Sequence, residues 1–149
     1  MLRLSGVTYG TTATLTVGVI DLIPCTTPGV GPAPPPVDVV DSMISHTVAS
    51  GRGDQMVLPA RAAPQGTRVS LERQAGAYRS VRAYASAPVK NARISIDITD
   101  CTLPTGKRLT VVREVSPDVW EDVGGSVAGG KITTPPLPHL SIYALAGGN

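Results

Sequence analysis

Residues able to do chemistry are sparse in this chain: it holds two histidines, two cysteines and 16% charged residues. Ser45-His46 lies close in sequence to Asp38 and Asp41, the residue types of a hydrolytic relay. Such a relay requires convergence in space, and neither a Gly-x-Ser-x-Gly elbow nor an oxyanion element accompanies these residues. His46 is therefore expected to be a half-buried residue of the body. Asp97 with Asp100, and Asp118 with Glu121 and Asp122, could offer oxygens to calcium. That ion takes about six to eight oxygens, and neither group has the spacing of a calcium loop. Nor is there a Cys-x-x-Cys or His-x-x-x-His spacing for zinc. Gly124-Gly125 and Gly129-Gly130 precede no helical pattern, so both pairs are expected to be hairpin turns, not phosphate cradles. The reading is a chain with no catalytic residues, no metal site and no cofactor.

Three further features could meet a partner. Arg52-Gly53-Asp54 is an RGD tripeptide; flanked by Gly51, it is expected to form a tight turn in which Gly51 and Gly53 take positive φ. Cys25 and Cys101 are too few for a disulfide scaffold, and they are expected to be unlinked thiols unless the compartment is oxidising. The net charge of +2 is unevenly spread. Residues 68–93 carry Arg68, Arg73, Arg79, Arg82, Lys90 and Arg93 against Glu72 alone, while the flanking segments are net acidic. Arg68, Arg73, Arg79, Arg82 and Arg93 are the candidates for contact with an acidic partner. With only Tyr78 and Tyr84 among them to stack on bases, nucleic acid is not the expected one.

The elements that must position these residues read as strands. Gly and Pro number 16 and 14, and valine, isoleucine and threonine far outnumber the long unbranched residues of helix surfaces. Branching at Cβ suits a pleated sheet, and Gly and Pro cut the chain into short segments. TATLTVGVI (12–20) alternates with period 2 and reads as a strand. PCTTPGVGPAPPP (24–36) follows, and its prolines read as an extended polyproline connector. Residues 37–49 fit a strand or a short helical turn, and 70–85 read as strand–turn–strand. ARISIDIT places Ile94, Ile96 and Ile98 on one face. KRLTVVREV, VWEDV, SVA, KITT and LSIYALA continue at strand spacing to the C-terminal end. Threonines and Asp21 interrupt the apolar N-terminal stretch, so a signal peptide is not expected, and no segment is long and apolar enough for a membrane helix.

The expected architecture is an all-β, immunoglobulin-like or jelly-roll β-sandwich, with an N-terminal arm (1–23), a Pro-rich connector (24–36) and a body (37–149). Trp120 and Tyr143, in a chain without Phe, are the expected core anchors. The arm's apolar face, Leu15, Val17, Val19 and Leu22, must pair with a sheet edge of its own subunit or a neighbour's.

Residues 108–146 resemble the closing section of β-sandwich modules of bacterial surface proteins. The likeness runs through Trp120, Val123, Gly124 and Gly125 to His139-Leu140-Ser141 and Tyr143-Ala144-Leu145. It implies a sandwich and brings no catalytic residue. In overall character the chain is also similar to tailed-phage virion auxiliary proteins, including capsid decoration proteins. That resemblance implies a bacteriophage structural protein on the capsid exterior, made in the host cytoplasm. Its partners would be the major capsid protein and copies of itself as a homotrimer, with no membrane and no nucleic acid. This is the leading expectation; a cell-surface or secreted adhesion module and a tail or connector subunit are its rivals. The adhesion reading alone requires linked cysteines and export.

Overall fold

The computed structural model describes residues 12–15, 18–25, 37–74, 78–106, 108–117 and 119–148. These form strands and no helix: β1 (Thr12–Leu15), β2 (Gly18–Leu22), β3 (Asp38–Val39), β4 (His46–Ala49), β5 (Gln55–Leu58), β6 (Arg68–Arg73) and β7 (Ser80–Ala85). β8 (Arg93–Asp97), β9 (Arg108–Ser116), β10 (Val119–Asp122), β11 (Ser126–Ala128), β12 (Lys131–Thr133) and β13 (Ile142–Gly148) complete them. The chain is an all-β sandwich of two antiparallel sheets.

The larger sheet runs β1-β2-β13-β7-β6-β3, with β9 on the other side of β13 and β10 beyond it. The smaller runs β11-β12-β8-β5-β4. Period-2 alternation decides what lies between them. Val69 and Leu71 of β6, Val81 and Ala83 of β7, and Tyr143 and Leu145 of β13 face Val48, Met56, Leu58, Ile94, Ile96 and Ile132 of the smaller sheet. The isoleucines of β8 thus take the inward face their alternation predicts.

A second apolar cluster, Val112, Trp120, Ala144 and Ala146, packs with Leu22. Val112 and Ala144 are each one residue from main-core members Val111 and Leu145, so this cluster lies on the opposite face of the larger sheet. The two alanines of β13 leave room for the indole. Tyr143 is thus a member of the main core, whereas Trp120 anchors the second cluster.

Two local expectations change. The 12–20 run does not stay one strand, because Leu15 pairs with Gly18 and the run folds back as a β1–β2 hairpin. Only one of the glycine pairs is a hairpin turn. Ala128 pairs with Lys131 across Gly129 (φ 59°) and Gly130 (φ 76°), the two positive values of a type I′ turn. Gly124-Gly125 instead carries the chain from β10 in one sheet to β11 in the other. A Cβ on Gly125 would stand 2.8 Å from Ile132 Cγ1, so the crossover requires the bare backbone. Between 37 and 49 the chain makes β3, a turn and β4; within 70–85 β6 and β7 pair antiparallel, and residues 75–77 between them lie outside the described residues.

Candidate functional site

The described part of the arm is held by its own chain. β2 extends the larger sheet, with Leu22 opposite Ala146 and Ile20 opposite Gly148. Because successive side chains leave opposite faces, Leu22 joins the Trp120 cluster while Ile23, 2% exposed, enters the main core. Two residues on, Cys25 is bonded to Cys101 at 2.04 Å across 76 residues. The expectation of unlinked thiols is corrected: Cys25 and Cys101 face each other as an isolated antiparallel bridge, and Thr102 N–H donates to Pro24 O at 3.0 Å. Leu15 and Val19 lie on the hairpin backbone. Val17 and connector residues 26–36 lie outside the described residues.

The basic segment does not form one face. Arg68 on β6 and Arg82 on β7 are exposed on the larger sheet, and Arg93 is exposed on β8 of the smaller one. Arg73 and Arg79, 7% and 1% exposed, are corrected from partner-binding to interior positions. β6 alternation turns Arg73 inward with Val69 and Leu71. An inward guanidinium needs a carboxylate, since an unpaired buried charge is costly. Arg73 donates Nε and Nη2 to the two carboxylate oxygens of Asp54, each at 2.9 Å. Ser50 Oγ and Asp97 N–H, both at 3.0 Å, complete that carboxylate's partners. Arg79 donates to both oxygens of Asp100 at 2.7 and 2.8 Å.

This network answers the RGD question. Gly51 and Gly53 take positive φ (81° and 99°), so the turn is the expected one. Asp54 has no solvent exposure and Arg52 O accepts from Arg73 at 2.8 Å. A ligand carboxylate offered to a receptor must be reachable, and this one is enclosed. A Cβ at Gly53 would lie 2.5 Å from Asp97 Oδ2, so the glycine also lets the loop close onto β8.

Asp97, Asp122 and Glu121 are engaged as well. Asp97 caps Thr99 through its N–H and hydroxyl. Burial pushes the Asp97 carboxyl up, but these bonds and the nearby Arg73 and Arg79 outweigh it, and the net shift is downward. At Asp122 burial also opposes ionisation, and donors from Thr110, Arg108 and Gly124 again bring the pKa below the usual carboxylate value. Glu121 takes Arg113 Nη2 at 2.7 Å. Among the described residues no group of three or more His, Cys, Asp or Glu could hold a metal; Asp118 lies outside them.

His46 Nε2 is 3.6 Å from Asp38 Oδ2, linking β4 of one sheet to β3 of the other. No hydrogen bond among the described residues joins Ser45 to His46. His139 fixes the approach to β13 through its backbone: Tyr143 Oη donates to His139 O at 2.7 Å. Burial pushes the Tyr143 hydroxyl up to about 12, with Arg113 opposing and Glu121 adding to the shift. The His139 ring meets Arg113.

What the sequence left unseen is chiefly pairing. Ile23 carried a usable signal, since the adjacent apolar Leu22-Ile23 ahead of Cys25 is the pattern of a strand buried on both faces. The Asp54–Arg73 and Arg79–Asp100 pairs carried none, because ion pairs of this separation depend on topology. Against known proteins, the chain matches no family model, no curated sequence and no solved structure.

Proposed function

We propose that the chain is a non-enzymatic β-sandwich module of a cell-surface or secreted protein, acting in adhesion or surface structure. The observation that carries this reading is the Cys25–Cys101 disulfide. Disulfides persist outside the reducing cytoplasm, and this one ties the N-terminal strand to the body. The resemblance of residues 108–146 to bacterial surface modules points the same way. The strand that a capsid protein would donate, β2, is already paired with β13 of its own chain. The test is thiol alkylation of the native protein across cell fractions, read by intact-mass spectrometry without reductant. Unalkylated, disulfide-linked protein in the envelope or medium is expected. Protein with two alkylated cysteines, confined to the cytoplasm, overturns the reading.

Capsid decoration is the second reading, and β1 favours it. That strand ends the larger sheet, and among the described strands its outer edge has no partner. A neighbouring subunit could add there, and repeated weak contacts around a trimer axis would sum to firm attachment. Exposed Arg68 and Arg82 would complement an acidic capsid exterior. Quantitative mass spectrometry of purified virus particles decides it: hundreds of copies per particle support decoration, a few tens point to a tail or connector, and absence overturns both.

A further inference from the structure

We infer that the open end of the β7–β13 ladder is a docking slot for an extended acidic peptide, which would bind as an added strand. The site stands independently of the compartment the protein occupies. Along β7, backbone groups alternate between neighbours. Even-numbered residues face β6, as the bonds from Gln74 N–H to Ser80 O and from Ser86 N–H to Arg68 O show. Odd-numbered residues face β13: Leu145 N–H donates to Arg79 O, and Ala83 N–H to Ser141 O at 3.0 Å. The next pair in this register would be Ala85 with His139. It does not form: the His139 carbonyl accepts from Tyr143 Oη, and Leu137 turns away to bridge Ala92, just ahead of β8. The N–H and C=O of Ala85 therefore face an opening, with no hydrogen-bond partner among the described residues.

That opening is large enough for a strand. A hollow of about 710 Å³ lies between Arg82–Val89 and Pro138–Ile142. Pro88, Val89 and Pro138 also line a second hollow of about 470 Å³, so the two adjoin. Ala85 and Ala87 are small and keep this side of the hollow low. Charge complementarity selects the occupant. The basic side chains lining the two hollows are Arg82, His139, Arg61 and Lys90, and no Asp or Glu lines either. Arg61 has φ 65°, a conformation rare for a residue of its kind, fixed by its N–H donating to Ser42 O at 2.7 Å. Backbone hydrogen bonds to Ala85 would supply register, and the flanking cations would select acidic side chains.

The test is fluorescence anisotropy of the full, disulfide-bonded chain with a labelled eight-residue peptide alternating Glu with Val or Thr. A Lys-for-Glu version and a version N-methylated at alternate backbone nitrogens serve as comparisons. Saturable binding of the acidic peptide is expected, with at least a tenfold loss for the lysine peptide and a similar loss on N-methylation. The Arg82→Glu/Lys90→Glu double variant should weaken it at least tenfold, and Arg93→Glu on the other sheet should not. These side chains are exposed, so the variants should keep the fold. Failure to bind the acidic peptide overturns the inference, as does equal binding after N-methylation, which would make the slot a general polyanion surface. A double variant that binds like the native chain would also overturn it, by placing the contact elsewhere.

Discussion

Asp54 has no solvent exposure, yet its carboxylate is fully engaged by donors from β6, β8 and its own loop. Cutting it away strands the Arg73 guanidinium in the interior. Asp54→Ala should cost about 3–5 kcal/mol, whereas Asp54→Ala combined with Arg73→Leu should cost clearly less, because no charge is then left unpaired. Urea unfolding of the two variants separates these outcomes. Titration adds an independent check. Asp97 and Asp122 ionise more readily folded than unfolded. The stability they contribute is complete above their unfolded value of 3.8 and is lost as pH falls below it through their lowered folded values. Tyr143 has the opposite sense: its contribution is complete below 10.0 and is lost as pH rises from there through about 12. Urea midpoints across pH should therefore decline at both extremes, and Asp122→Asn should shrink the acid limb. The interior arginines explain why a charge run misled. Composition shows that residues 68–93 are basic, but strand alternation sends Arg73 inward and Arg68 outward.

At the scale of elements, alternation made most of the fold legible. Ile94, Ile96 and Ile98 announce β8, and the spacing of the C-terminal strands announces a sandwich. Which strand joins which sheet was not legible, because Gly-Gly reads the same at a hairpin and at a crossover. Gly129-Gly130 turns back within one sheet, while Gly124-Gly125 changes sheets under the constraint of Ile132. Trp120 likewise announces burial without saying on which face. Its indole covers Val112, Ala144 and Ala146, so Trp120→Ala should cost about 3–5 kcal/mol. Loss of tryptophan fluorescence makes circular dichroism the better probe of that unfolding. The arm divides in the same manner. Removing residues 1–17 should leave the body folded, since Leu22 and Ile23 remain to pack. Removing 1–23 deletes a core residue and the β2 pairing, and should lower the melting temperature sharply in a scanning calorimeter.

For the whole molecule, the sandwich closes around one core, and the N-terminal strand is joined to it by pairing, packing and a covalent bond. Reduction of Cys25–Cys101 should lower stability by about 2–5 kcal/mol, measured by urea unfolding with and without reductant. The partnership of those two cysteines was invisible because a separation of 76 in sequence says nothing of proximity until β2, β13 and the 98–102 turn are assembled. The same bond has a mechanical meaning. A pull on the N-terminal side enters at Cys25 and passes straight to Cys101, so the intervening chain is bypassed and cannot be drawn out. At roughly 3.5 Å per residue, about 260 Å of contour is withheld from extension. Single-molecule stretching should show a short unfolding step when oxidised and a step longer by that amount after reduction. Under load, then, the sandwich behaves as a short shackle: it can yield without paying out most of its length.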